Sequence, residues 1–131
     1  MNKQEELEKI QEEKDQLYDR LRELSDKEDE LKIAEDIQKA AGLVGKYFIS
    51  KNYTFETHIF HALYSEPNSE YKRETLVVGE LLEGTTYKSG GSYVYALSHK
   101  KIEIGKFLSE FEEISEEEYL AKKTELFKNF V

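Results

Sequence analysis

Residues 3–41 contain neither glycine nor proline and are dominated by Glu, Lys, Gln, Leu and Ala. All five are strong helix formers, so this stretch has little choice but one long helix. Its apolar residues are sparse and regularly spaced: Leu7, Ile10, Leu17, Leu21, Leu24 and Leu31. In heptad terms Ile10, Leu17, Leu24 and Leu31 fall at successive d positions, with Leu7 and Leu21 at a. Lys14 and Glu28 interrupt the a row. A stripe this narrow, on a helix otherwise charged all round, buries too little to hold a helix by itself. It must lie on the chain's own remaining domain or pair with another helix. The heptad spacing favours a coiled coil, and hence a homodimer or higher oligomer assembled through those six residues.

The flanking positions bear on orientation. The g positions are Glu6, Glu13, Arg20 and Lys27, and the e positions are Gln11, Tyr18, Ser25 and Lys32. A parallel pair sets Lys27 against Lys32 and forms no complementary contact. An antiparallel pair brings Glu6 near Lys27 and Glu13 near Arg20, roughly a few tenths of a kcal/mol per exposed pair, and is favoured. Ser25-Asp26-Lys27-Glu28 has the form of a capping box, from which a helix could restart and fold back. Beyond Leu31 the apolar spacing moves to Ala34, Ile37, Ala41 and Val44, a face expected to dock on the C-terminal domain. Gly42 and Gly45 supply the stop. The organisation is therefore a helical segment, 1–41, and a second domain, 42–131.

From Leu43 the composition turns aromatic and β-branched, and every aromatic residue except Tyr18 lies in this part. The pattern predicts strands at about 43–50, 53–65, 72–82, 92–98 and 102–108. Lys51-Asn52 and Glu66-Pro67-Asn68-Ser69-Glu70 are turn candidates, the latter because Pro presets φ and Asn tolerates the left-handed region. Gly84 to Ser92 is the longest loop. Phe55, Ile59 and Leu63 form one row and Phe60, Ala62 and Tyr64 the other, while Tyr93, Tyr95 and Leu97 alternate with Val94, Ala96 and Ser98. The second strand thus looks apolar on both sides. Ser115 and Glu118 form a capping box for a last amphipathic helix, with Tyr119, Leu120, Lys123, Leu126, Phe127 and Phe130, expected to lie on the sheet. The fold class is α+β: a long helix or coiled coil, then a small curved antiparallel five-stranded sheet or open barrel capped by a C-terminal helix.

Several function classes drop out. The chain has no cysteine, which excludes disulfides, thiol catalysis and Cys-ligated zinc. No apolar run nears the ~18 residues of a membrane span, and Met1 to Glu6 lacks the apolar core of a signal peptide, so a cytoplasmic location is expected. Half of the 28 acidic side chains lie in residues 1–41, and the net charge of −9 opposes broad phosphate-backbone binding. His58 and His61 are three apart in a strand and point to opposite faces, so no metal site is expected. The Gly84…Gly90-Gly91 loop holds Lys88 but lacks the strand–loop–helix order of a phosphate cradle. No nucleophile–base spacing appears, and neither an enzyme nor a cofactor is expected. The aromatics, interleaved with Lys46, Lys51, Lys72, Arg73, Lys88, Lys100, Lys101 and Lys106, suggest an alternative, a base-stacking nucleic-acid module.

One charge cluster stands out. Glu110, Glu112, Glu113, Glu116, Glu117 and Glu118 crowd six carboxylates into nine residues at the start of the last helix. Dipole complementarity explains the acids of the first turn. Glu110, Glu112 and Glu113 precede it, and Glu110, Glu112, Glu113, Glu116 and Glu117 are the candidate surface for a basic partner.

Gly45-Lys46-Tyr47-Phe48, opening the β domain, and Ile114-Ser115-Glu116-Glu117-Glu118-Tyr119, opening the last helix, give the layout a family likeness. It resembles small coiled-coil plus β-domain proteins of bacteriophages and mobile elements of Gram-positive bacteria, which include inhibitors of host defence such as anti-CRISPR proteins. That resemblance implies a phage-encoded inhibitor or adaptor that binds a host protein, for example a defence nuclease, in the host cytoplasm. A phage structural or assembly accessory protein is a further alternative. The resemblance carries over no binding residue.

Overall fold

The computed structural model describes residues 2–51, 56–71, 73–86 and 92–128. It divides the chain into two compact units, Met1–Ala34 and Glu35–Val131. One uninterrupted helix, α1 (Lys3–Leu43), runs across that division. Asn2 starts it, its side-chain oxygen accepting from the Glu5 amide at 2.8 Å, and Glu5 and Glu6 complement the dipole. The capping-box residues Ser25 to Glu28 do not restart a helix, because with no glycine or proline nearby nothing interrupts the backbone ladder. The composition break at Gly42 thus lies seven residues past the start of the second unit at Glu35, since the last turns of α1 belong to that unit.

In the first unit no described residue is buried. Arg20–Glu23 at 3.1 Å, Glu28–Lys32 at 3.0 Å and a Gln11–Asp15 hydrogen bond at 3.0 Å run along the surface of α1 at helical spacing.

The second unit is a five-stranded antiparallel sheet, open rather than closed into a barrel, in the order β4-β3-β2-β1-β5. The elements are β1 (Tyr47–Ser50), β2 (Glu56–Pro67), β3 (Thr75–Thr86), β4 (Ser92–Glu103), α2 (Ile104–Glu110), β5 (Phe111–Ile114) and α3 (Glu116–Phe127). Four strands match expected ones, although β1 begins at Tyr47, four residues late, because α1 extends to Leu43. The expected strand at 102–108 is overturned. β4 ends at Glu103, whose carboxylate accepts from the amides of Gly105 at 2.8 Å and Lys106 at 3.0 Å and so caps α2. Ile104 and Phe107, three apart, are buried in the same core cluster, which one face of a helix permits and one face of a strand does not. The fifth strand is Phe111-Glu112-Glu113-Ile114, paired with β1 from Tyr47↔Ile114 to Ser50↔Phe111.

Both faces of the sheet are covered. On one, Phe48, Phe60, Ala62, Val77, Leu81 and Phe111 pack against Ile104 and Phe107 of α2 and against Ala40 and Leu43 of α1. On the other, Ile59 and Leu82 pack against Tyr119 and Leu126 of α3, the expected lid. This explains why Ile59 and Phe60, adjacent on β2, are both fully buried. The docking face of α1 is one residue out of phase with expectation. Ala40 and Leu43 are covered, whereas Ala34, Ile37, Ala41 and Val44 are exposed.

Two bulges shift the rows. Ala62 pairs with Gly79 and Tyr64 with Val78, so Leu63 is an extra residue, more than a third exposed, and not part of the Ile59 row. Glu83 pairs with Ala96 and Gly84 with Val94, which puts Val94 and Ala96 on opposite faces. Phe55, Phe130, the side chains of Tyr93 and Tyr95, and the Lys51-Asn52 turn beyond Lys51 lie outside the described residues. So does the loop centre 87–91, whereas Gly84, Thr85 and Thr86 belong to β3. The turn after Pro67 forms, but not through a left-handed Asn68. No described residue other than glycine has positive φ. Asn68 acts instead as an acceptor, taking the Glu70 amide at 3.0 Å, while its own amide reaches the Glu74 carbonyl at 2.9 Å. Gly45, at φ 84, makes the left-handed step out of α1 and donates to the Ala62 carbonyl at 2.8 Å.

Candidate functional site

The six stripe residues of α1 remain uncovered. Leu7, Ile10, Leu17, Leu21, Leu24 and Leu31 are each between 47% and 65% exposed. They lie along one uninterrupted helix, so all six share the seam set by the heptad. An apolar row of this length on an otherwise charged helix is chemically suited to one task, packing against another apolar helical face.

The acidic cluster is divided by the fold. Glu110 ends α2, is half-buried, and its carbonyl accepts from the Lys51 amide at 2.8 Å. Glu112 and Glu113 sit on β5, an edge strand, with Glu113 3.4 Å from Lys46. Charged residues on a short edge strand also oppose pairing with a further strand, so these two have a local reason that the sequence does not reveal. Glu116, Glu117 and Glu118 form the first turn of α3, where the Ser115 hydroxyl accepts from the Glu118 amide at 3.1 Å. Glu112, Glu113, Glu116 and Glu117 are exposed.

A pocket of about 460 Å³ opens on the face of the sheet next to α2, lined by Ser50, His58, Glu83, Lys100, Lys106 and Phe111 among others. His58 is buried and its Nε2 lies 3.0 Å from Glu56. Ser50 and His58 follow the last paired position, Ile49↔Ile59, on neighbouring strands and so come to the same wall. Their separation in sequence gives no sign of this. A serine beside a histidine that meets a carboxylate is a partial inventory for nucleophilic chemistry. The remaining wall, lysines and glutamates with Asn68, Leu76, Leu81 and Ile102, selects no reaction.

His61 is on the opposite face, as the spacing requires, stacked on Tyr47 with centroids 4.4 Å apart. Tyr119 leans on the same Tyr47 ring at 4.6 Å. Burial pushes the Tyr119 hydroxyl up to about 12, with Glu80 and Tyr47 adding to the shift. Among the described residues no three His, Cys, Asp or Glu side chains gather where a metal ion could sit.

Most described aromatic side chains of the β domain are packed, whereas Tyr64 and Tyr71 are exposed. Phe48, Phe60, Phe107 and Phe111 pack together under α2, with Phe107 stacked on Phe111 at 4.9 Å. Tyr47 and Tyr119 lie under or within the α3 layer. Lys72 and Lys88 lie outside the described residues. Among the described residues, no helix is long and apolar enough to cross a membrane. No family model, curated protein or solved structure matches the chain.

Proposed function

We propose that this protein is a non-enzymatic interaction module: residues 3–31 assemble it with another helix, and the β domain engages a macromolecular partner through its acidic edge. The observation that carries the reading is the uncovered stripe of α1, six large apolar residues on a stretch where no described residue is buried. Helices in proteins owe most of their stability to packing of an apolar face, and the face that residues 7–31 offer is still open to water. Covering what remains exposed of each leucine contributes about 1–2 kcal/mol. The acidic part of the reading rests on Glu112, Glu113, Glu116 and Glu117, which are exposed and close in sequence at one strand–helix junction. The phage-type inhibitor or adaptor role is the specific form of this proposal that the layout resemblance suggests. The nucleic-acid alternative has less support, since most of the described aromatics of the β domain are packed between sheet and helices, Tyr64 and Tyr71 being exposed.

Light scattering tests the assembly. The wild type at tens of micromolar is expected at a multiple of 15.4 kDa, and Leu17→Glu with Leu24→Glu at 15.4 kDa with an unchanged near-UV spectrum. A monomeric wild type refutes the reading.

A further inference from the structure

We propose that the helix covering this stripe is a second copy of the same segment, running antiparallel, in the register that sets Leu7 level with Leu24 of the other copy. The inference rests on the self-assembly reading above and adds partner, direction and alignment.

The seam chooses this register. With Leu7 opposite Leu24, Ile10 meets Leu21, and the two-fold axis repeats both layers. Lys14 then meets Leu17 on either side of the axis, its methylenes along the leucine and its ammonium free to reach water. The other break in the a row, Glu28, comes level with Lys3, so the misfit in each single helix becomes a charge pair between two. Glu28 already reaches Lys32 at 3.0 Å within its own helix, and Lys3 adds a second cation on the other side. Leu31 falls beyond the paired length.

The flanks agree with the seam. Antiparallel helices bring g positions against g and e against e. Glu6 meets Lys27 and Glu13 meets Arg20, each twice by symmetry, while Gln4 meets Ser25 and Gln11 meets Tyr18 without charge. The competing arrangements are worse on both counts. A parallel in-register pair stacks Lys14 on Lys14 and Glu28 on Glu28 in the seam and sets Lys27 against Lys32. Sliding the antiparallel pair by one heptad puts Ile10 on Glu28 and Arg20 on Arg20. Attraction in one arrangement and repulsion in its rivals is how coiled coils fix partner and direction.

Two charge variants of the full chain test it. Glu6→Lys with Glu13→Lys makes every g position basic, and Arg20→Glu with Lys27→Glu makes every one acidic. Each variant alone is expected to bind itself about tenfold or more weakly than wild type at low salt, and an equimolar mixture to recover wild-type affinity as a heterodimer. In a parallel pair the acidic variant instead sets the carboxylate introduced by Lys27→Glu against Lys32 and binds itself more tightly, which overturns the orientation. The chain has no cysteine, so Leu7→Cys mixed with Leu24→Cys is expected to give an oxidised heterodimer, with neither variant cross-linking alone. Cross-linking of Leu24→Cys by itself overturns the register. A wild type that is monomeric throughout refutes the underlying self-assembly, whereas a dimeric wild type with indifferent charge variants refutes only the register and direction.

Discussion

Replacing Phe107 by alanine removes the ring on which one face of the β domain converges. Phe107 is fully buried, with ring centroids 4.8 Å from Phe48, 5.2 Å from Phe60 and 4.9 Å from Phe111. Truncating a buried Phe costs about 3–5 kcal/mol. Three aromatic neighbours that cannot collapse into the gap put the expected loss at about 4 kcal/mol. A domain of roughly 100 residues holds about 5–15 kcal/mol in all, so the variant keeps a fold but a weak one, with a melting temperature about 20 °C lower. Ile104→Ala, one helical turn earlier, is expected to lose about 2–4 kcal/mol for the same reason. Leu108→Ala removes a side chain that is 42% exposed and is expected to lose under about 1 kcal/mol. Urea titration followed by tyrosine fluorescence measures all three. The pattern severe at 104 and 107, mild at 108, belongs to a helix. Were residues 104–110 a strand, Ile104 and Phe107 would point to opposite faces and could not share one cluster, and a mild loss at Phe107 refutes the placement of α2.

Three further outcomes rest on particular contacts. A Cβ on Gly79 would run into the His61 carbonyl of β2 and come within 2.6 Å of the Phe60 ring, so Gly79→Ala is expected to cost about 2–4 kcal/mol, and thermal unfolding that shows no change contradicts the tight β2–β3 approach. The Tyr119 hydroxyl stays protonated up to about 12 in the folded chain against 10.0 ordinarily; the stability this gives is complete below pH 10 and is lost as pH rises toward 12. Tyr119→Phe is therefore expected to gain on wild type in denaturation series above pH 10, and parallel decline of the two contradicts the assignment. For the acidic edge, Glu112→Gln with Glu116→Gln and Glu117→Gln is expected to leave the melting temperature within a few degrees, to slow association with a basic partner and to flatten its salt dependence. On-rates equal to wild type at two salt concentrations show a merely solvated edge.

The long helix is legible because its signal is redundant: a glycine-free run of helix formers, a heptad row and Gly45 just past its end all agree, whereas Gly42, expected to share in the stop, lies inside the last turn. Four strands are legible for the same reason, as are the cap at Ser115 and the opposite facing of His58 and His61. The misreadings have local causes. Ile102 and Ile104 continue the alternation of β4, and only the carboxylate of Glu103 folding back onto two amides ends the strand and begins α2. Phe111 to Ile114 reads as part of a charge cluster because half of it is glutamate, yet pairing with β1 makes it an edge strand on which both glutamates stay exposed. Bulges at Leu63 and near Gly84 are backbone events that invert every row beyond them, and no side-chain pattern announces them. The pocket holding Ser50 and His58 arises from cross-strand pairing, which a one-dimensional spacing does not record.

A distance between two identical labels tests the central claim most directly. Because the chain has no cysteine, Glu30→Cys gives one nitroxide site per copy, on α1 and away from the seam. In the antiparallel register the two copies of position 30 lie near opposite ends of the paired segment. At ~1.5 Å of rise per residue the two labels stand about 44 Å apart along the axis. Pulsed dipolar spectroscopy of the full chain is expected to show that distance as a single narrow population. A distance under about 20 Å means a parallel pair, and an unmodulated trace at a concentration of tens of micromolar means that the leucine row of α1 does not pair with itself at all.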